Sequence, residues 1–137
     1  MKRRHFIALS SAALVVPALA RATPALDYTP GLADQRLKAG ETVFLDFKAE
    51  WCTTCRAQER VIGALLAENP AYGQAITFIN IDWDDHKRDP LTKRLAIPRR
   101  STLVVLKGDQ ELGRIVAGTR KDDIKALLDT ALQAAAV

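Results

Sequence analysis

Two short apolar runs constrain this chain more than any other feature. Residues 42–47 are apolar on both faces except at Asp46, and residues 76–82 read the same way. A strand without polar alternation is a central strand covered on both sides, so helices must lie above and below it. The segments around the two runs supply such helices. Pro30 opens one through Leu32, Arg36 and Leu37 that stops at Gly40. From Thr53 a second one, of about four turns, carries Ala57, Val61 and Leu65 with Ile62 and Leu66 on one stripe, and Asn69-Pro70 ends it. Asp89-Pro90 reads as the cap and first position of a short helix ending near Ala96.

Residues 102–106 and 111–117, joined by a turn at 107–110, read as an antiparallel hairpin. Gly118 breaks the pattern and Thr119 with Asp122 resembles a capping box. Ile124, Leu127, Leu128, Ala131 and Leu132 then form the stripe of a closing helix. Residues 23–29 are expected to be loose or a short edge strand. Right-handed crossovers make the first two central strands parallel neighbours and the hairpin adds antiparallel ones. The expectation is one α/β domain over 23–137, a mixed central sheet flanked by helices on both faces.

Residues 1–22 read differently. Lys2, Arg3 and Arg4 are basic, Phe6 to Ala20 is mostly apolar, and Ala18-Leu19-Ala20 or Ala20-Arg21-Ala22 offers small residues for cleavage. This is the pattern of a bacterial export signal, and the apolar stretch is short against the roughly 20 residues of a spanning helix. Arg3-Arg4-His5-Phe6-Ile7 is similar to a twin-arginine signal, although Lys2 stands where that pattern has Ser or Thr. The expected location is periplasmic. Removing Lys2, Arg3, Arg4 and Arg21 from the 20 basic residues leaves 16 against 16 acidic ones, so the pI of 9.3 is no sign of nucleic-acid binding.

The only two cysteines, Cys52 and Cys55, sit where the first central strand gives way to a helix. Free N–H groups and the positive end of a helix dipole stabilise a thiolate at such a place, and only the thiolate attacks disulfides. Cys52, nearer the helix start, is the expected attacking residue and Cys55 the resolving one. Other readings stay open. A structural bridge closing about four residues would contribute only about 2 kcal/mol. Two thiolates suit copper or zinc, yet structural zinc takes four ligands and the chain adds only His5 and His86 to its carboxylates. Inert buried thiols are the third.

Leu45-Asp-Phe-Lys-Ala-Glu-Trp-Cys-Thr-Thr-Cys55 resembles the active-site segment of thioredoxin-like thiol–disulfide oxidoreductases, and the resemblance runs roughly over 41–134. It implies a thioredoxin fold, a redox pair at Cys52 and Cys55, and no bound cofactor or metal. Trp51 matches the aromatic shoulder of the site, and Asp46 the buried acid that assists proton transfer from the resolving thiol. Burial in an apolar strand should in any case raise the Asp46 pKa.

The departures are as informative. The lysine that accompanies the acid falls at Phe78, the second active-site aromatic at Lys48, and the family's cis-proline at Ser101. Lys48 would bring a cation toward the dithiol. A cis bond before a residue other than proline costs about 2.5–4 kcal/mol, so a trans Ser101 and an altered substrate groove are expected. Pro98 could take that place only through a gap. The family's proline also keeps metals off the cysteines, so its loss raises a copper or zinc carrier as the alternative function. Arg99 and Arg100 in the same loop could attract an acidic partner or the Cys52 thiolate. The resemblance implies a monomer that exchanges electrons with a client protein, as a reductant, and is recharged by a membrane redox partner.

Overall fold

The computed structural model describes residues 24–137, so the expected leader lies outside the described residues. In chain order the elements are β1 (Leu26–Asp27), α1 (Leu32–Lys38), β2 (Thr42–Lys48), α2 (Thr53–Glu68), α3 (Ala71–Ala75), β3 (Thr77–Asp82), α4 (Trp83–His86), α5 (Pro90–Arg94), β4 (Thr102–Lys107), β5 (Gln110–Val116) and α6 (Lys121–Ala135). The strands form one five-stranded sheet in the order β1-β3-β2-β4-β5. β3 is parallel to both β1 and β2, while β4 is antiparallel to β2 and β5. This is the mixed sheet expected from the sequence.

The period of two along β2 divides the core. Val43, Leu45 and Phe47 join Ile79, Ile81, Val104 and Leu106 under Ala33 and Leu91, on the side of α1 and α5. Phe44 points the other way, with Phe78, Leu103 and Val105 beneath Leu65 of α2 and Ile124, Leu127 and Leu128 of α6. Both faces of β2 are thereby covered, which is why its sequence lacks alternation. Asp46 shares the Phe44 side and is the exception inside that run.

Three local details differ from the sequence expectations. Pro70 does not simply end α2: it caps the five-residue α3, whose Tyr72 is buried and donates to Asp129 of α6. Asp82 likewise caps the short α4 by accepting from the Asp85 amide at 3.1 Å, immediately after β3. The proposed box at Thr119 and Asp122 is out of frame by one, because Arg120 occupies the cap of α6 and makes no side-chain cap bond. Asp122 and Asp123 still complement the helix dipole from the first turn. The cap expected at Asp89 is present, accepting from the Leu91 amide at 2.9 Å.

Leu128 is fully buried between α6 and the sheet. Leu128→Ala should cost about 2–5 kcal/mol in denaturant unfolding through lost burial and a residual cavity. A loss below about 1 kcal/mol would mean that α6 does not close this face.

Candidate active site

β2 delivers the chain to the sheet's carboxyl end, and α2 begins there. Cys52 is the N-cap of α2: its backbone is extended, and its Sγ accepts the Cys55 amide proton at 3.1 Å. Cysteine thus occupies the position that Ser, Asp or Asn usually fills, and the capping bond falls on a sulfur that could carry charge. Cys52 and Cys55 are both free thiols, 3% and 1% exposed. Ala49 and Trp83 pack around them.

The decisive neighbour is Ser101. Its Oγ lies 3.1 Å from the Cys52 Sγ and 3.2 Å from the Cys55 Sγ, so one hydroxyl is shared by both sulfurs. Ser101 immediately precedes β4, whereas Pro98 is exposed in the preceding loop. The alignment that set Ser101 against the dithiol therefore describes the structure. The described residues contain no cis peptide, and Ser101 has φ 63°. A left-handed serine is strained and persists only when its surroundings fix it. Here its amide donates to the Phe47 carbonyl at 2.7 Å. Its carbonyl accepts from the Ala117 amide at 2.8 Å and from Gln58 Nε2 at 3.0 Å.

Gln58 went unrecognised in the sequence. It is fully buried one turn beyond Cys55, and its amide also donates to the Gly118 carbonyl at 2.9 Å. It ties the Ser101 segment and the 117–118 turn to α2. The signal was present: a glutamine three residues after Cys55, on the stripe that continues to Ile62 and Leu65, is a polar side chain on a buried face.

Electrostatics separates the two thiols. Burial alone would raise the Cys52 pKa, but hydrogen bonds from Cys55, from Ser101, from the Cys55 amide and from Arg100 outweigh it and lower the value to about 7. Burial, the bond with Cys52 and the neighbouring charge of Cys52 raise that of Cys55. One thiol is poised to ionise near neutrality and the other is held protonated. That asymmetry is what a nucleophile and a resolving partner require.

Arg100 stacks its guanidinium over Trp51, 4.5 Å from the ring centroid. The Trp51 indole donates to Asp84 at 2.8 Å, leaving the ring 55% exposed beside the dithiol. Lys48 does not serve the dithiol as expected. It forms an ion pair with Glu59 of α2, and its charge acts on Asp46.

Asp46 is 6% exposed, and its Oδ1 has no hydrogen-bond partner among the described residues. Burial raises its pKa to about 6, against a lowering pull from Lys48. Phe78, tilted against Phe44 with ring centroids 5.1 Å apart, stands where a lysine would neutralise it. Asp46 lines a cleft of about 360 Å³ with Glu59, Ile62, Gly63 and Leu66. Its Oδ1 makes no hydrogen bond to Cys55.

As metal donors the site offers two thiols and one hydroxyl. Among the described residues, no group of three His, Cys, Asp or Glu side chains gathers there or elsewhere. That falls short of the four ligands of structural zinc.

A family profile described as thioredoxin matches residues 30–130. A thioredoxin of Chlamydia trachomatis is 31% identical over 90 residues, 66% of this chain and 82% of that protein. An H-type thioredoxin of Fagopyrum esculentum is 31% identical over 86 residues, 63% of this chain and 68% of its own length. Among solved structures, Trxlp of Edwardsiella tarda superposes with a TM-score of 0.67 at 25% identity, over 77% of this chain and 98% of that one. The thioredoxin of Malassezia sympodialis gives 0.63 at 20% identity, over 80% and 95%, a likeness of fold.

Two expectations follow. Because the folded state binds the Asp46 proton more tightly than the unfolded chain does, wild-type stability falls as pH rises from about 4 to about 6. Asp46→Asn should remove that slope and be relatively more stable by about 3 kcal/mol above pH 7, measured by urea unfolding across pH. Parallel pH profiles would contradict the buried, unpaired carboxylate. Ser101→Pro, although it copies the family residue, cannot keep φ 63° or donate to Phe47. It should destabilise the domain by about 2–4 kcal/mol, whereas Ser101→Gly should retain the fold.

Proposed function

This chain belongs to the thioredoxin family of thiol–disulfide oxidoreductases, and from that premise we propose that it works in the periplasm as a reductant of a client protein's disulfide. The observation that carries the reading is the Cys52 sulfur at the α2 cap, held by the Cys55 amide and the Ser101 hydroxyl, each at 3.1 Å. Those donors favour the thiolate on the sulfur at the front of the helix.

The Cys52 thiolate attacks one sulfur of the client disulfide, forming a mixed disulfide and releasing the other sulfur as a thiol once it takes a proton. Cys55 then loses its proton and attacks the Cys52 Sγ. The Cys52–Cys55 disulfide forms and the second client thiol leaves. The client gains two electrons and the dithiol loses them. Asp46, ionised at neutral pH, is the base for the Cys55 proton. Trp51, Arg100 and Ser101 form the rim that meets the client, with the Arg100 charge suited to an acidic residue beside the client's cysteine.

The direction rests on how far the thiolate is stabilised. A strongly stabilised thiolate favours the reduced pair and makes an oxidant, with a nucleophile pKa of about 3.5, whereas reductants keep it at about 7. Cys52, at about 7, stands at the reducing end. The periplasmic address rests on the leader at 1–22, and a membrane redox partner recharges the oxidised pair. The chain acts as a monomer.

Equilibration of the mature protein in glutathione or dithiothreitol buffers should place the Cys52–Cys55 potential below about −220 mV, while a value near −120 mV would reverse the direction. Cys52→Ser should abolish disulfide reduction in an insulin assay. Retained activity would remove Cys52 from the attacking role.

A further inference from the structure

The proline that the family places at the Ser101 position has neither a hydroxyl nor an N–H to offer, and here both exist. The N–H is consumed by the Phe47 carbonyl at 2.7 Å, but the hydroxyl sits between the sulfurs, 3.1 Å from Cys52 and 3.2 Å from Cys55. Arg100 adds a second donor. Its guanidinium is pinned over Trp51 at 4.5 Å and also reaches the Cys52 sulfur, whose pKa it helps to lower. A nucleophilic sulfur, a hydroxyl beside it, a cationic donor on the rim and a resolving thiol serve disulfide exchange and also suit a second reaction. They are what cleavage of an O–O bond needs, because its leaving alkoxide or hydroxide must be stabilised and protonated.

We propose that this site also reduces small hydroperoxides, with Cys52 as the attacking sulfur and Ser101 and Arg100 as the donors that polarise the O–O bond. The reading uses Cys52 as nucleophile but is independent of the client and of the direction of disulfide exchange. The Cys52 thiolate attacks the terminal oxygen: an S–O bond forms, the O–O bond breaks, and Cys52 becomes a sulfenic acid. Ser101 passes its proton to the departing RO⁻, giving an alcohol or water, and takes the Cys55 thiol proton in exchange. The Cys55 thiolate then attacks the sulfenic sulfur. The S–S bond forms, the S–O bond breaks, and hydroxide leaves as water after taking a proton from solvent. The hydroperoxide is reduced by two electrons, the dithiol is oxidised to the disulfide, and a dithiol reductant restores it. With Cys52 only 3% exposed, hydrogen peroxide is the member of the class that reaches the sulfur most easily.

The test compares two reagents on the reduced mature protein. Iodoacetamide needs only the thiolate, whereas hydrogen peroxide also needs the donors, so the ratio of the two Cys52 rates cancels any change in thiolate fraction. Ser101→Gly, which suits φ 63° while removing the hydroxyl, and Arg100→Gln should each lower that ratio by about tenfold or more. Cys55→Ser should stop at a Cys52 sulfenic acid trapped by dimedone, and the wild type should proceed to the disulfide by mass spectrometry. A ratio unchanged in Ser101→Gly, or a wild-type ratio equal to that of free cysteine, overturns the proposal. Insulin reduction by the wild-type protein, measured alongside, reports separately on disulfide exchange.

Discussion

One serine hydroxyl shared between two sulfurs organises the active end of this molecule. Its position depends on several parts of the fold at once. β2 supplies the Phe47 carbonyl that fixes the Ser101 amide, α2 supplies Gln58, and the turn after β5 supplies the Ala117 amide. These bonds hold a left-handed conformation that serine adopts only under constraint. The strain is placed at the reacting atoms, where proline would otherwise stand.

The consequence is a site whose chemistry is set by a contest between burial and donation. Burial works against charge on either thiol, yet donors converge on Cys52 and reverse its effect there. Cys55, with fewer donors and the Cys52 charge beside it, goes the other way. Asp46 is a third case: buried without a strong partner, its carboxyl is raised to about 6. Two thiols at one helix start and a buried acid in the preceding strand thereby acquire three different protonation behaviours.

Much of this was legible in the chain. The apolar runs at 42–47 and 76–82 demanded covering layers, and the CxxC at a strand-to-helix junction marked the nucleophile. A single aspartate in an apolar strand announced its own raised pKa. The details that were not legible depend on tertiary proximity. Lys48 turned to Glu59 because α2 passes within reach of β2, which spacing does not reveal. α3 and α4 are too short for a periodic pattern to register, and their caps at Pro70 and Asp82 also fit loops. Gln58 showed as a polar residue on an apolar stripe, but its partners come from segments more than forty residues away. That one hydroxyl touches both sulfurs depends on the loop before β4 folding back over α2, which no local pattern encodes.

The central claim is that the Ser101 hydroxyl adds to the Cys55 thiol and the helix cap in lowering the Cys52 pKa. Thiolate ultraviolet absorbance followed against pH in the wild type and in Ser101→Gly tests it most directly. The account places the wild-type Cys52 midpoint near pH 7 and moves it upward when the hydroxyl is removed. Superimposable titration curves would show that the Cys55 thiol and the cap suffice and that Ser101 is a bystander.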